Sequence, residues 1–431
     1  MSRLFLQIIS LCVTFIFFNP QFVIAQDTIN APQDSVCIER DLTDVVREAL
    51  DKPTKLKPEE GEGSLLLLPV IGSNPATGFM VGVGGQYAFQ IPKSSQYSMI
   101  MGSLQFTTKK QFVFMLKNTI YTRNDRIFFN GDWRYLIFSQ STYGLGTNSP
   151  EGGILDYQYG LAGLEYSLDD LTQPMTFDFL RLHQSVGFKI ADKMYLGFGY
   201  YLDSYNSIVD EKLRLNPGDT VLTSHYTYNA KYGFNSDSYS ISTLNVNFVI
   251  DKRDNIIQAY KGYYLSLNYR GGPEVFGNDR HSSLFQGEWR SFHGLSKSNP
   301  AHLIAFWLLG NFIEEGSVPY MILPATAYDQ RGRSARGYTQ GRFRGNQFVY
   351  GEVEYRFPIS PCGGVLGGVL FANATSANNP EKSLNLFESI KPSVGFGLRV
   401  KADKYTRTNF AIDFGFGHQS FGFYLAASET F

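Results

Sequence analysis

Five arginines, Arg331, Arg333, Arg336, Arg342 and Arg344, crowd into one short segment interleaved with glycines, and no acid follows until Glu352. The pattern then changes to that of a strand. Val349, Val353, Tyr355 and Phe357 share one face, while Tyr350, Glu352, Glu354 and Arg356 share the other. If the first face meets an apolar phase, the second lines an interior. An arginine-rich loop sits in such an interior only if carboxylates on the wall receive it, because an unpaired charge in a confined site is costly. The other use of such a loop is to meet lipopolysaccharide phosphates at the surface. That use suits Arg331 and Arg333 better than Arg336.

Other chemistry is thinly represented. His183 with Ser185, and His418 with Ser420, lie two residues apart and so on one strand face, as in outer-membrane lipases and deacylases. No third group is evident, and no enzyme is expected. The stretch VGVGGQ at 81–86 lacks the strand–helix context of a nucleotide site. The six histidines are scattered and the three cysteines form no CxxC pair, so no metal and no cofactor is expected. A net charge of -1 gives no reason to expect nucleic acid as a partner.

The elements that must position these residues are strands. Phe410, Ile412, Phe414 and Phe416 alternate with Asn409, Ala411, Asp413 and Gly415. The same period of two marks Leu244–Ile250, Tyr263–Tyr269 and Val394–Val400. Charged residues make up 18% of the chain, below the ~25% usual for soluble domains. Aromatics reach 15%. Alternation of this kind suits either a soluble sandwich or a barrel that is apolar outside and polar inside. Strands near the ~9–11 residues of a tilted membrane-spanning strand favour the barrel. The expected fold is therefore all-β, a 16-stranded antiparallel transmembrane β-barrel of the outer membrane. Its first strand is expected at 78–89, its fifth at 155–167 and its last at 420–430. Long outer loops and short periplasmic turns make 313–345 the sixth outer loop. The long segment 139–156 breaks that rule.

Three regions are expected: a signal peptide at 1–25, a short periplasmic N-terminal segment at 26–63, and the barrel at 64–431. The first has Arg3, an apolar run Leu4–Phe18 and Val23-Ile24-Ala25 before Gln26. The second contains one short amphipathic helix around Leu42, Val45, Val46 and Leu50, ended by Pro53. At the other end Phe421, Phe423, Leu425, Ala427 and Phe431 share a face. Phe431 is then the C-terminal aromatic signal that outer-membrane assembly machinery recognises.

RSARGYTQGRFRG followed by EVEYRFPI resembles the BamA/TamA superfamily, the bacterial surface antigen family. DKRDNIIQAYKGYYLSLNYR at 251–270, VLFANATSAN at 369–378 and the last strands agree with it in order. The resemblance is good over 251–431 and loose over 64–250. It implies a barrel whose long outer loop folds back inside, with a tip motif made of Arg336, Gly337 and Tyr338. It also implies that Arg336 reaches Glu354 and Asn373 on the receiving wall, which carries Glu352 as well. Asn373 stands where the family usually has Asp. Residues 26–63 are too short for the family's periplasmic POTRA domains, so a member without them is implied. The function implied is assistance to insertion or translocation of proteins or lipids at the outer membrane. The alternative is a passive or partner-dependent pore or scaffold without insertase activity. Expected partners are outer-membrane lipid and lipopolysaccharide, with client outer-membrane proteins or a periplasmic partner.

Overall fold

The computed structural model describes residues 39–53, 62–74, 78–149, 172–360 and 364–431. The expected signal peptide and the expected strand at 155–167 lie outside them. Sixteen antiparallel strands form one barrel sheet. In order they are β1 (Gly63–Asn74), β2 (Gly78–Phe89), β3 (Ser98–Thr107), β4 (Phe112–Tyr121), β5 (Ile127–Thr142), β6 (Gln173–Ala191), β7 (Met194–Asp210), β10 (Tyr239–Asp251), β11 (Gly262–Gly272), β12 (Ser282–Gly294), β13 (Leu303–Gly316), β14 (Gln347–Pro358), β15 (Leu366–Ala377), β16 (Lys391–Asp403), β17 (Thr408–Gly417) and β18 (Ser420–Ala426). A separate hairpin, β8 (Arg214–Asn216) and β9 (Asp219–Val221), lies between β7 and β10.

The count is the expected one, but its membership differs. The barrel begins one strand early, at β1, so 78–89 is the second strand. Period two does not reveal SLLLLPVI, which is apolar on both faces and carries Pro69. Proline fits an edge strand, because it removes a donor that an edge leaves unused. At the other point of difference β5 pairs directly with β6, so no strand stands between them in the sheet. Of the awkward segment 139–156, residues 139–142 are the end of β5. The long connections among the described residues, 211–238, 317–346 and 378–390, fall at one end of the barrel.

Alternation sets the two faces. On β16, Val394 and Phe396 are exposed outward (58% and 48%), while Ser393 and Arg399 are buried inward. β13 is apolar on both faces. Leu303, Ala305, Trp307 and Leu309 point in, and Phe306 and Leu308 point out. The lumen is therefore not uniformly polar. One internal cluster joins Trp307, Tyr350, Phe348, Phe343, Tyr338 and Phe431.

At the short-turn end, α1 (Leu42–Ala49) is closed by a capping box between Asp41 and Asp44. Its polar side docks on the β16–β17 turn. Lys404 Nζ donates to Asp44 at 2.8 Å, and Lys401 Nζ pairs with Glu39 at 2.6 Å. Val45, Val46 and Leu50 stay exposed.

β18 stops at Ala426, short of the expected 430, and residues 427–431 turn into the lumen. Phe431 is buried against Trp307, with ring centroids 5.3 Å apart, and does not continue the outward face of Phe421, Phe423 and Leu425. Among the described residues no ladder pairs β1 with β18.

Candidate functional site

The loop 317–346, between β13 and β14, enters the barrel and is fastened to two walls. Asp329 starts the inner turn, accepting the backbone N–H groups of Arg331, Arg333 and Ser334 at 2.8, 3.0 and 2.8 Å. Ala335 and Gly337 follow with φ of 60° and 102°. These left-handed values turn the chain sharply and favour glycine at 337. The wall there is bare by design of its sequence. A Cβ on Gly415 would stand 2.7 Å from the Gly337 nitrogen, and one on Gly417 would strike the Tyr338 ring at 2.6 Å. The tip therefore lies flat on β17.

Arg336 is fully buried at this point. Its guanidinium donates to Glu352 at 2.5 Å, to Asp413 at 2.8 Å, to Thr430 Oγ1 at 2.9 Å and to Glu354. The Phe371 ring lies 3.7 Å beneath it. The network extends through Arg356 on Glu354 and Arg399 on both Asp413 and Glu429. Three arginines thus meet four acids in one buried ion cluster. Such a cluster is strongly specific in geometry, since a lone member would be an uncompensated buried charge.

Asn373 plays a different part from the one the resemblance implied. It does not receive the guanidinium. Its Nδ2 donates to the Arg336 backbone carbonyl at 3.1 Å and to Glu352 at 3.2 Å, and Ser393 Oγ donates to the same carbonyl. The charge partner that stands in for an acid at 373 is Asp413, which sequence reasoning missed. Alternation marks Asp413 as inward, but only strand register shows that it lies level with the loop. Gly337 N donates to Tyr424 Oη at 2.9 Å, and Tyr338 Oη donates to the Pro392 carbonyl at 2.7 Å.

The second fastening was not visible in the sequence. Lys117 Nζ and Arg134 Nη2 both donate to the Gln330 carbonyl, at 2.5 and 3.1 Å, and Gln330 Nε2 donates to Asn130 at 3.1 Å. The loop therefore spans from the β4–β5 wall to the β14–β17 wall.

Between these anchors the loop reaches the edge of β18 that no described strand pairs. The hairpin Gly417–Ser420 sets the register in which Phe421, Phe423 and Leu425 turn their backbone groups away from β17. Arg333 Nη2 donates to the Leu425 carbonyl at 2.8 Å, and Arg331 Nη1 to the Glu429 carbonyl at 3.4 Å. A side chain from the loop thus occupies an acceptor that a paired neighbouring strand would take.

The histidine–serine pairs are not assembled as catalytic sets. His183 bonds Asp203 at 2.9 Å, while the Ser185 hydroxyl donates to the Asn130 carbonyl at 3.3 Å. His418 sits in the β17–β18 turn, where its N–H meets Tyr338 Oη at 3.1 Å.

The description Omp85 superfamily domain matches residues 157–431. The fold is similar to BamA from Haemophilus ducreyi lacking POTRA domains 1–3, at 12% identity and a TM-score of 0.50, over 86% of this chain and 69% of that one. It is similar also to CdiB from Escherichia coli, at 10% identity and a TM-score of 0.50, over 87% of this chain and 62% of that one. No curated protein matches the chain. With more than half of its length inside the family match and a barrel of the same architecture, the chain belongs to the Omp85 superfamily and is an outer-membrane β-barrel protein.

Proposed function

We propose that this protein assists insertion or translocation of proteins or lipids at the outer membrane, through the seam between β1 and β18. The observation that carries this reading is the open edge of β18, with its Leu425 carbonyl held by Arg333 and residues 427–431 withdrawn into the lumen. An unpaired edge is a row of donors and acceptors that can template another strand. The loop that reaches it is tied to a buried ion cluster, so the edge and the lumen move together. Outer-membrane lipid, including lipopolysaccharide, and either client outer-membrane proteins or a periplasmic partner are the partners this chemistry suits. No catalytic step is required.

The alternative is a passive or partner-dependent pore or scaffold. Cysteines placed in β1 and β18 to lock the seam separate the two. Locking should abolish complementation of a deletion strain, and reductant should restore it. Depletion should alter the outer-membrane proteome or lipid asymmetry. A locked protein that still complements fits the pore or scaffold and overturns the insertase reading.

A further inference from the structure

On the side of the lumen away from the arginine network lies a cavity of about 140 Å³. By volume it holds on the order of ten waters, which is the room of one sugar ring. Its roof is the loop segment Met321–Pro324, and its floor includes Phe128, Tyr195 and Val249. One row of amides crosses its wall at a single level: Asn247, Asn268, Gln286 and Asn311 are register partners on β10, β11, β12 and β13. The first two bond to each other. The side-chain amides of Gln286 and Asn311 form no hydrogen bond with any described residue, and both residues line the cavity.

The charges of the same wall are also unevenly used. Asp132 has Arg134, Glu288 has Arg290, and Asp203 has Arg181, each within 2.7 Å. Arg270 is a fourth arginine for three acids. Its guanidinium reaches Asp203 only at 3.7 Å and forms no hydrogen bond among the described residues. A guanidinium left without hydrogen bonds in a confined, polar cavity calls for an anionic acceptor. Beside it stand two amides, each able both to donate and to accept.

We infer that this cavity binds an acidic sugar residue, its carboxylate on Arg270 and its hydroxyls on Gln286 and Asn311. Vicinal hydroxyls need partners that donate and accept together, which amides provide. The ring stack of His183 on Tyr201, centroids 4.1 Å apart, supplies a flat face on the same wall. An acidic peptide is the weaker fit. Every strand lining the cavity is paired on both sides, so no edge is free to take an extended peptide backbone.

The test uses the full chain, purified in detergent and probed against an array of glycans ending in uronic acids, sialic acids or neutral sugars, with triglutamate as a peptide control. Acidic glycans should be retained, and neutral ones at least tenfold less. Arg270→Gln should weaken retention by tenfold or more, and Asn311→Ala by severalfold. Heat-modifiable migration checks that each variant is folded. Retention of no acidic glycan, equal retention of neutral ones, binding insensitive to Arg270→Gln and Asn311→Ala alike, or triglutamate bound as tightly would each overturn the assignment.

Discussion

Arg336 distributes five donors over three carboxylates and a hydroxyl, and this decides what its replacement should do. Arg336→Ala leaves Glu352, Glu354 and Asp413 facing one another without their shared cation. Breaking a buried pair costs about 3–5 kcal/mol. The loop 317–346 should then become protease-sensitive, and the urea midpoint should fall by a corresponding amount. Arg336→Lys should recover only part of this, because an ammonium is a point charge and cannot bridge several acids in a plane. Asn373→Asp, which would match the family pattern, should loosen the loop rather than tighten it. It removes the donor to the Arg336 carbonyl and adds a fifth acid 3.2 Å from the Glu352 position. The same proteolysis assay reads both variants. If Asn373→Asp protects the loop, the carbonyl contact does not matter. At this scale Arg336, Glu352 and Glu354 were legible, because a basic loop and an acidic strand adjoin in the chain. Asp413 and Thr430 were not. They lie 77 and 94 residues from Arg336, and alternation shows which way a residue points but not at which level of the barrel it sits.

Strands with clean alternation were legible, and the two that bound the seam were least so. β1 is apolar on both faces, and β18 carries five further residues that extend its pattern but not its pairing. Their fate depends on Arg399 and Arg356 inside the lumen, which no local pattern records. Replacing Glu429 with Gln should therefore release the segment 427–431 from Arg399, and hydrogen exchange there should rise while β17 stays protected. The helix α1 offers a pH test outside the membrane-spanning strands. Burial pulls the Lys404 ammonium down, but its hydrogen bond and attraction to Asp44 prevail and lift it above lysine's ordinary 10.5. A group raised in the folded state stabilises fully below its unfolded value and loses that contribution as pH rises through the folded one. Docking of α1 should accordingly persist through neutral pH and fail only above about 10.5. Lys404→Gln should undock it at pH 7. Amide exchange over 42–49 measures both, and a helix that detaches between pH 6 and 8 would contradict the role of this pair.

The described strands form a barrel whose interior is largely occupied, by the loop on one side and by apolar clusters, two of which border the cavity. A passive channel would conduct as it stands. Here, deletion of 327–341 should raise single-channel conductance in planar bilayers severalfold over the intact chain, and equal conductance would mean that the loop does not block the lumen. The loop also acts mechanically. Gln330 is fixed to the β4–β5 wall and Arg336 to the β14–β17 wall, six residues further on. Six extended residues reach at most about 21 Å. The segment is thus a tie-rod of fixed maximum length across the barrel, and hoop tension in the sheet is borne partly by it. A force that widens the wall, whether a folding strand wedged at the edge or lateral pressure from lipid, first takes up the slack in that rod. It then loads its weaker anchor, which is Gln330, held by two donors on its carbonyl and by its side-chain amide on Asn130, rather than the ion cluster around Arg336. The barrel should therefore yield at the β4–β5 wall first, three strands in from β1, rather than at the β14–β17 wall.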